Sequence, residues 1–122
     1  MKATIASLIF LLLSLAVSSQ TYKYIGIEEG LSNQKIYRIQ KDARGYMWFL
    51  THVGIDRYNG KEIKHYKLKE GDRELDPLLN INWTYLDKTG TLLVTGKQGR
   101  IFRYDSGHDR FVQIYRSEEH TS

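Results

Sequence analysis

Asp42-Ala-Arg-Gly45-Tyr-Met-Trp48-Phe-Leu-Thr51-His-Val-Gly54-Ile-Asp-Arg-Tyr58-Asn-Gly60 alternates short aromatic and β-branched runs with turn residues, and contains no proline. Residues of those types favour strands. Asp42 to Gly45 reads as a tight connection that ends on a residue tolerant of left-handed backbone. Asn59-Gly60, flanked by alternating residues, reads as a type I′ hairpin turn, in which both central residues take positive φ. Ile36 to Lys41 on one side and Glu62 to Tyr66 on the other supply two further runs. The expectation is four antiparallel strands of about 4–7 residues each, with no helix between them.

The pattern then repeats. Asp87-Lys-Thr-Gly90 answers Asp42-Ala-Arg-Gly45, and Leu92-Leu-Val-Thr95 answers Trp48-Phe-Leu-Thr51. Gly99-Arg-Ile-Phe-Arg-Tyr104 returns Gly54-Ile-Asp-Arg-Tyr58 with one residue more, and Val112 to Tyr115 echoes Ile63 to Tyr66. Four strands at a period of about 45 residues is the signature of β-propeller blades, each burying its faces against its neighbours. The fold class expected is all-β, an incomplete propeller. Residues 20–66 form a first blade with a lead-in N-terminal strand, 67–80 an inter-blade loop, and 81–115 a second, partial blade.

Both ends stand apart from this pattern. Met1-Lys2, the apolar run Ile5 to Val17 and the small Ser18 and Ser19 have the layout of a secretory signal peptide over residues 1–19. Cleavage after Ser18 or after Ser19 fits, with Ala16 or Val17 at the −3 place. The apolar run is shorter than the roughly 20 residues of a spanning helix, so an uncleaved anchor is the lesser reading. With no Cys in the chain, no lipid can be attached there. At the other end, Arg116-Ser-Glu-Glu-His-Thr-Ser122 is what AGA TCG GAA GAG CAC ACG TCT encodes, the start of a common sequencing adapter. Residues 116–122 are therefore expected to be an artefact, and Glu118, Glu119 and His120 no metal or catalytic cluster.

Composition narrows the function. The formal net charge of +4 is spread among aromatics with no long like-charged run, which reads as solvated surface and not as a nucleic-acid stripe. Zero Cys removes disulfides, thiol catalysis and Cys-based zinc sites together. Stability must come from packing or from further chain. Two blades would leave two blade faces uncovered, and residues 20–115 made alone are expected to aggregate.

Gly30-Leu31-Ser32-Asn33, the following strand, and the string from Asp42 through Gly45, Trp48, Thr51, Gly54 and Tyr58 to Gly60 resemble the two-component regulator propeller repeat. That resemblance covers nearly all of residues 28–66, with a weaker second copy over 81–115 at Asp87, Gly90, Thr95, Gly99 and Tyr104. It implies an array of blades followed by a small β-sandwich, a membrane helix and cytoplasmic histidine kinase parts, as in hybrid regulators of Bacteroidetes type. It also implies a periplasmic location, an oligosaccharide ligand and a homodimer, the partners of this segment being the remaining blades of its own chain. No nucleic acid is implied for this segment, a membrane only through a helix further on, no cofactor, and no enzyme activity in the blades themselves. The alternatives are an exported propeller enzyme, a polysaccharide lyase or glycosidase, and a non-catalytic protein-binding propeller.

Individual residues read structurally first. Trp48 is expected in the core, with sugar stacking as the sharper alternative. Tyr58, Tyr66, Tyr104 and Tyr115 recur at strand ends, as blade packing requires, whereas Tyr22, Tyr24 and Tyr37 could line a groove or close a ring. Asp42, Asp87, Thr51 and Thr95 are expected to fix turns through backbone hydrogen bonds. Gly45, Gly54, Gly60, Gly90 and Gly99 are expected to supply positive φ. His52, His65 and His108 share no ligand spacing. Glu28-Glu29 and the loop acids Glu70, Asp72, Glu74 and Asp76 read as solvated, not as a glycosidase pair. Asn82-Trp83-Thr84 formally matches a glycan acceptor but falls where a strand is expected. No catalytic, metal or ligand-binding residue is assigned.

Overall fold

The computed structural model describes residues 2–14, 18–76 and 81–117. Ala16, Val17 and the last five residues of the chain, named above, lie outside that set, as do residues 77–80 of the expected inter-blade loop. α1 (Lys2–Ser14) carries Ile5, Leu8, Ile9, Phe10, Leu11 and Leu12 exposed to solvent. No helix among the described residues is long and apolar enough to cross a membrane.

The remainder is all-β. β1 (Ile36–Lys41), β2 (Met47–Thr51), β3 (Gly54–Tyr58) and β4 (Ile63–Tyr66) form one antiparallel sheet in sequence order. β7 (Trp83–Leu86), β8 (Leu92–Thr95), β9 (Ile101–Asp105) and β10 (Arg110–Tyr115) form a second sheet in the same order. The second unit, expected to be partial, thus has four strands like the first. These are two blades of propeller type. No strand forms over residues 20–25, at the start of the first blade where a lead-in strand was expected; Tyr22 and Tyr24 lie exposed and no sheet edge is paired to them.

The connection between the blades is more ordered than its charge suggested. β5 (Lys69–Glu70) and β6 (Arg73–Glu74) pair as a small ribbon. At its base the Leu75 amide donates to the Leu68 carbonyl at 2.9 Å, and both leucines are buried in the common core. Burying each contributes on the order of 1.5–3 kcal/mol.

Strand register shows how the sheets meet. Trp48 stands opposite Arg57, and Leu50 opposite Ile55, so these four share one face of the first sheet. In the second sheet Val94 stands opposite Phe102, and Tyr104 opposite Phe111. The shared core joins Trp48, Leu50, Ile55 and Tyr66 to Leu92, Val94, Phe102, Tyr104 and Phe111. Leu93, opposite Arg103 as Trp48 is opposite Arg57, lies on the other face. The register counterpart of Trp48 is therefore Leu93, one place on from the sequence match at Leu92. Likewise the counterpart of Ile63 is Phe111, not Val112. The blades pack front to back, each using the opposite face of its pleat.

Two turns differ from expectation. Tyr58 pairs with Ile63, so the β3–β4 loop is longer than a two-residue turn. Asn59 Oδ1 accepts from the amides of Lys61 and Glu62, each at 2.9 Å, and that side-chain capping replaces the type I′ geometry. Among the described non-glycine residues, only Gln98 and Asp109 take positive φ.

Candidate functional site

The repeat-motif residues are the scaffold on which any site must be built. In the β1–β2 turn, Asp42 accepts from the amides of Arg44 and Tyr46 and from the Trp48 indole at 2.8 Å. Asp87 repeats the device at the β7–β8 turn with the Thr89 and Thr91 amides, and Arg103 takes the place of the indole at 2.9 Å. The Thr89 hydroxyl and Thr91 amide, with Arg103, hold the Asp87 carboxyl well below the usual carboxylate range. Gly45 and Gly90 close these turns at φ 88° and 74°.

Leu31 and Ser32 fold over the back of the first sheet. There Asp56, fully buried, accepts from the Ser32 amide at 2.8 Å, from the Ser32 hydroxyl, and from His65 Nδ1 at 2.7 Å. Gly30, with φ 109°, lies beside Ile63 on that side. Thr51 is buried and donates to the Gly54 carbonyl, whereas Thr95, at the same end of its strand, lies half-buried with its hydroxyl directed at the Trp83 carbonyl. Gly54 has the Tyr66 carbonyl oxygen 3.2 Å from where a Cβ would sit, and Gly99 closes a short 3₁₀ turn against Ser117. Tyr58 donates to the Gly60 carbonyl. Glu29 is spent on the Gly26 amide at 2.6 Å.

Between the blades, Trp48 packs its ring against Tyr104 at 4.7 Å and against Tyr66 and Phe111 at 5.4 and 5.5 Å. This places Trp48 in the core, as expected, with none of its surface in solvent. At the rim of that aromatic cluster Asp109 Oδ1 accepts from the hydroxyls of Tyr66 at 2.5 Å and Tyr104 at 2.7 Å. Lys64 pairs with its other oxygen. Arg57 donates to Tyr104 and lies 4.4 Å from the centre of the Tyr46 ring. Partial burial would raise the Asp109 carboxyl, but the bonds from Lys64, Tyr66 and Tyr104 hold it well below its usual range. Burial, with the Asp109 contact, pushes the Tyr66 hydroxyl far above its ordinary value. The cluster is a lock between blades, since Arg57, Lys64 and Tyr66 come from the first and Tyr104 and Asp109 from the second.

A concave feature lies between the first strands of the two blades. A cleft of about 340 Å³ is lined by Tyr37, Arg38, Leu50, Thr51, Ile81, Asn82 and Trp83. Arg38 Nε donates to the Thr84 hydroxyl at 2.8 Å, and its guanidinium lies 3.7 Å from the centre of the Trp83 ring. Tyr37 stacks beside His52 and shares a 2.5 Å hydrogen bond with its Nδ1. Thr84, the third residue of the formal glycan acceptor, is buried with its hydroxyl committed to Arg38. Arg38, Asp56, Arg57 and Asp109 were not singled out from sequence. Asp56 and Arg57 lie inside the repeated string, but their partners come from distant parts of the chain. The three histidines among the described residues pair separately, with Tyr37, Asp56 and Asp105. Among the described residues no group of three acids or histidines is placed to hold a metal.

Two blades built on an Asp-x-x-Gly turn and packed front to back are the elements of a propeller. Residues 30–52, which run from the Ser32 loop through β1 and its turn to the end of β2, match the family model described as two component regulator propeller. Over those residues the chain is similar to the repeat of that family. A comparison with curated proteins found no match.

Proposed function

We propose that this chain is the exported, ligand-sensing start of a membrane-bound two-component regulator whose propeller recognises an oligosaccharide in the periplasm. The observation that carries the reading is the repeat match at Gly30 to His52, borne on a blade that packs directly onto a second. The apolar, exposed α1 behind Lys2 supports export, being built like the core of a signal peptide. The blades work with the remaining blades of their own chain, as a dimer, and bias a kinase across the membrane. Such a sensor needs no chemistry on its ligand; it needs different affinity for that ligand in two states of the array. What favours sensing over hydrolysis or lyase chemistry is the use of the acids. The buried carboxylates, Asp42 and Asp56, are spent on turn amides, an indole, a serine and a histidine.

The test is to sequence the source locus through the codon for Tyr115 and express the complete reading frame with a reporter promoter. A frame that continues into blades, a membrane helix and a kinase, with a reporter that answers an oligosaccharide left intact, is the expected result. A frame without kinase motifs, or cleavage of the sugar by the purified propeller, overturns it.

A further inference from the structure

We infer that the cleft between β1 and β7 binds the carboxylate of an acidic sugar, a uronic acid, through the guanidinium of Arg38. The inference rests on the sensing reading above and gives it a site and a ligand class. Arg38 is held at two points, by the bond from its Nε to Thr84 and by stacking on Trp83. Its two terminal nitrogens have no partner among the described residues. A guanidinium anchored at Nε keeps a planar pair of donors that matches a carboxylate in bidentate fashion. Among the described residues no acid lines the cleft, so none balances the positive charge of Arg38 there.

The rest of the lining suits a pyranose ring. Trp83, with one ring face taken by Arg38, and Tyr37, with one taken by His52, keep 47% and 63% of their surface exposed, which leaves apolar ring surface for the hydrophobic face of a sugar. The side chains of Asn82 and Thr51 add an amide and a hydroxyl to the same wall. The volume falls at the small end of the roughly 300–1,000 Å³ of ligand pockets, which fits one or two sugar units. Because Arg38 belongs to the first blade and Thr84 and Trp83 to the second, a ligand seated on Arg38 would also sense the angle between blades.

The two tryptophans supply the assay. In the complete exported propeller region labelled with 5-fluorotryptophan, Trp48 reports the folded core and Trp83 reports the cleft, the two signals being assigned with Trp48→Phe and Trp83→Phe. Titration with glucuronate should move the Trp83 signal saturably and leave Trp48 in place. Glucose should bind at least about tenfold more weakly, and Arg38→Lys, which keeps the charge but loses the fork, should weaken glucuronate by about tenfold or more. Equal response to glucose, with no effect of Arg38→Lys, overturns the acidic-sugar assignment and leaves the sensing reading standing. A still Trp83 signal, alongside an oligosaccharide that raises the melting temperature, overturns this site alone. If no sugar changes either readout, both readings fall.

Discussion

The amide of Ala43 donates to the carbonyl oxygen of Gly90 at 3.1 Å, so the corresponding turns of the two blades touch backbone to backbone. A Cβ added at Gly90 would lie 2.2 Å from the Ala43 Cβ, whereas one at Gly45 meets nothing within 4 Å. Both glycines take left-handed φ. Gly45→Ala should therefore cost about 1–2 kcal/mol, the backbone term alone. Gly90→Ala should cost about 1–3 kcal/mol more, from overpacking. Denaturant titration of both variants, and of Gly90→Ala with Ala43→Gly, checks this; equal losses in the two single variants would show that the turns do not dock.

Removing the Asp42 carboxylate strands three donors at once, two turn amides and the Trp48 indole. Each buried donor left unsatisfied costs about 1–3 kcal/mol. Asp42→Ala should thus destabilise by about 1–3 kcal/mol through the buried indole, with a smaller loss from the two part-buried amides, and Asp42→Asn by less because its amide oxygen can still accept. A loss below about 1 kcal/mol for the alanine variant would mean the indole bond is not formed.

The inter-blade lock should give stability a pH dependence at both extremes. The folded Tyr66 hydroxyl titrates above its unfolded value, so its contribution is complete below about pH 10 and is lost as pH rises beyond that. The folded Asp109 carboxyl titrates below its unfolded value, so its contribution is complete above about pH 4 and is lost as pH falls further. Melting temperatures across both ranges should show Asp109→Asn flattening the acid limb. Tyr66→Phe should reduce the alkaline limb, with Tyr104, also raised by burial and by its bond to Asp109, accounting for part of what is left.

Leu68 and Leu75 tie the β5–β6 ribbon to the shared core. Leu68→Ala should cost about 2–5 kcal/mol, as for a buried leucine in any core. Lys69→Ala, on the exposed side of the ribbon, should cost less than about 0.5 kcal/mol. Similar small losses in both would show that the ribbon only covers the core without joining it.

Local pattern made much of this legible. β1 to β4 begin and end within a residue or so of the runs around Trp48, because period-two alternation and the Asp-x-x-Gly turns are written in adjacent residues. Trp48 was recognisable as core for the same reason. Asn59-Gly60 misled because the Asn59 side chain competes for the amides that a type I′ turn would leave to the backbone. The β5–β6 ribbon was hidden because its charged residues outnumber the two leucines that anchor it. The lock and the cleft were invisible, since Arg57 meets Asp109 across 52 positions and Arg38 meets Thr84 across 46. No local periodicity encodes a contact of that span.

Front-to-back packing gives the blade pair a direction, as a brick with a stud on one side and a socket on the other. Such a unit never satisfies itself by pairing two like surfaces about a twofold axis. It adds units in one sense until the accumulated rotation closes a circle, or continues as an open helical stack if it does not. Blade number is then a matter of angle per step, set at the Ala43–Gly90 contact and the Trp48 cluster. A substitution there would change the circumference of the whole assembly before it changed the shape of any blade.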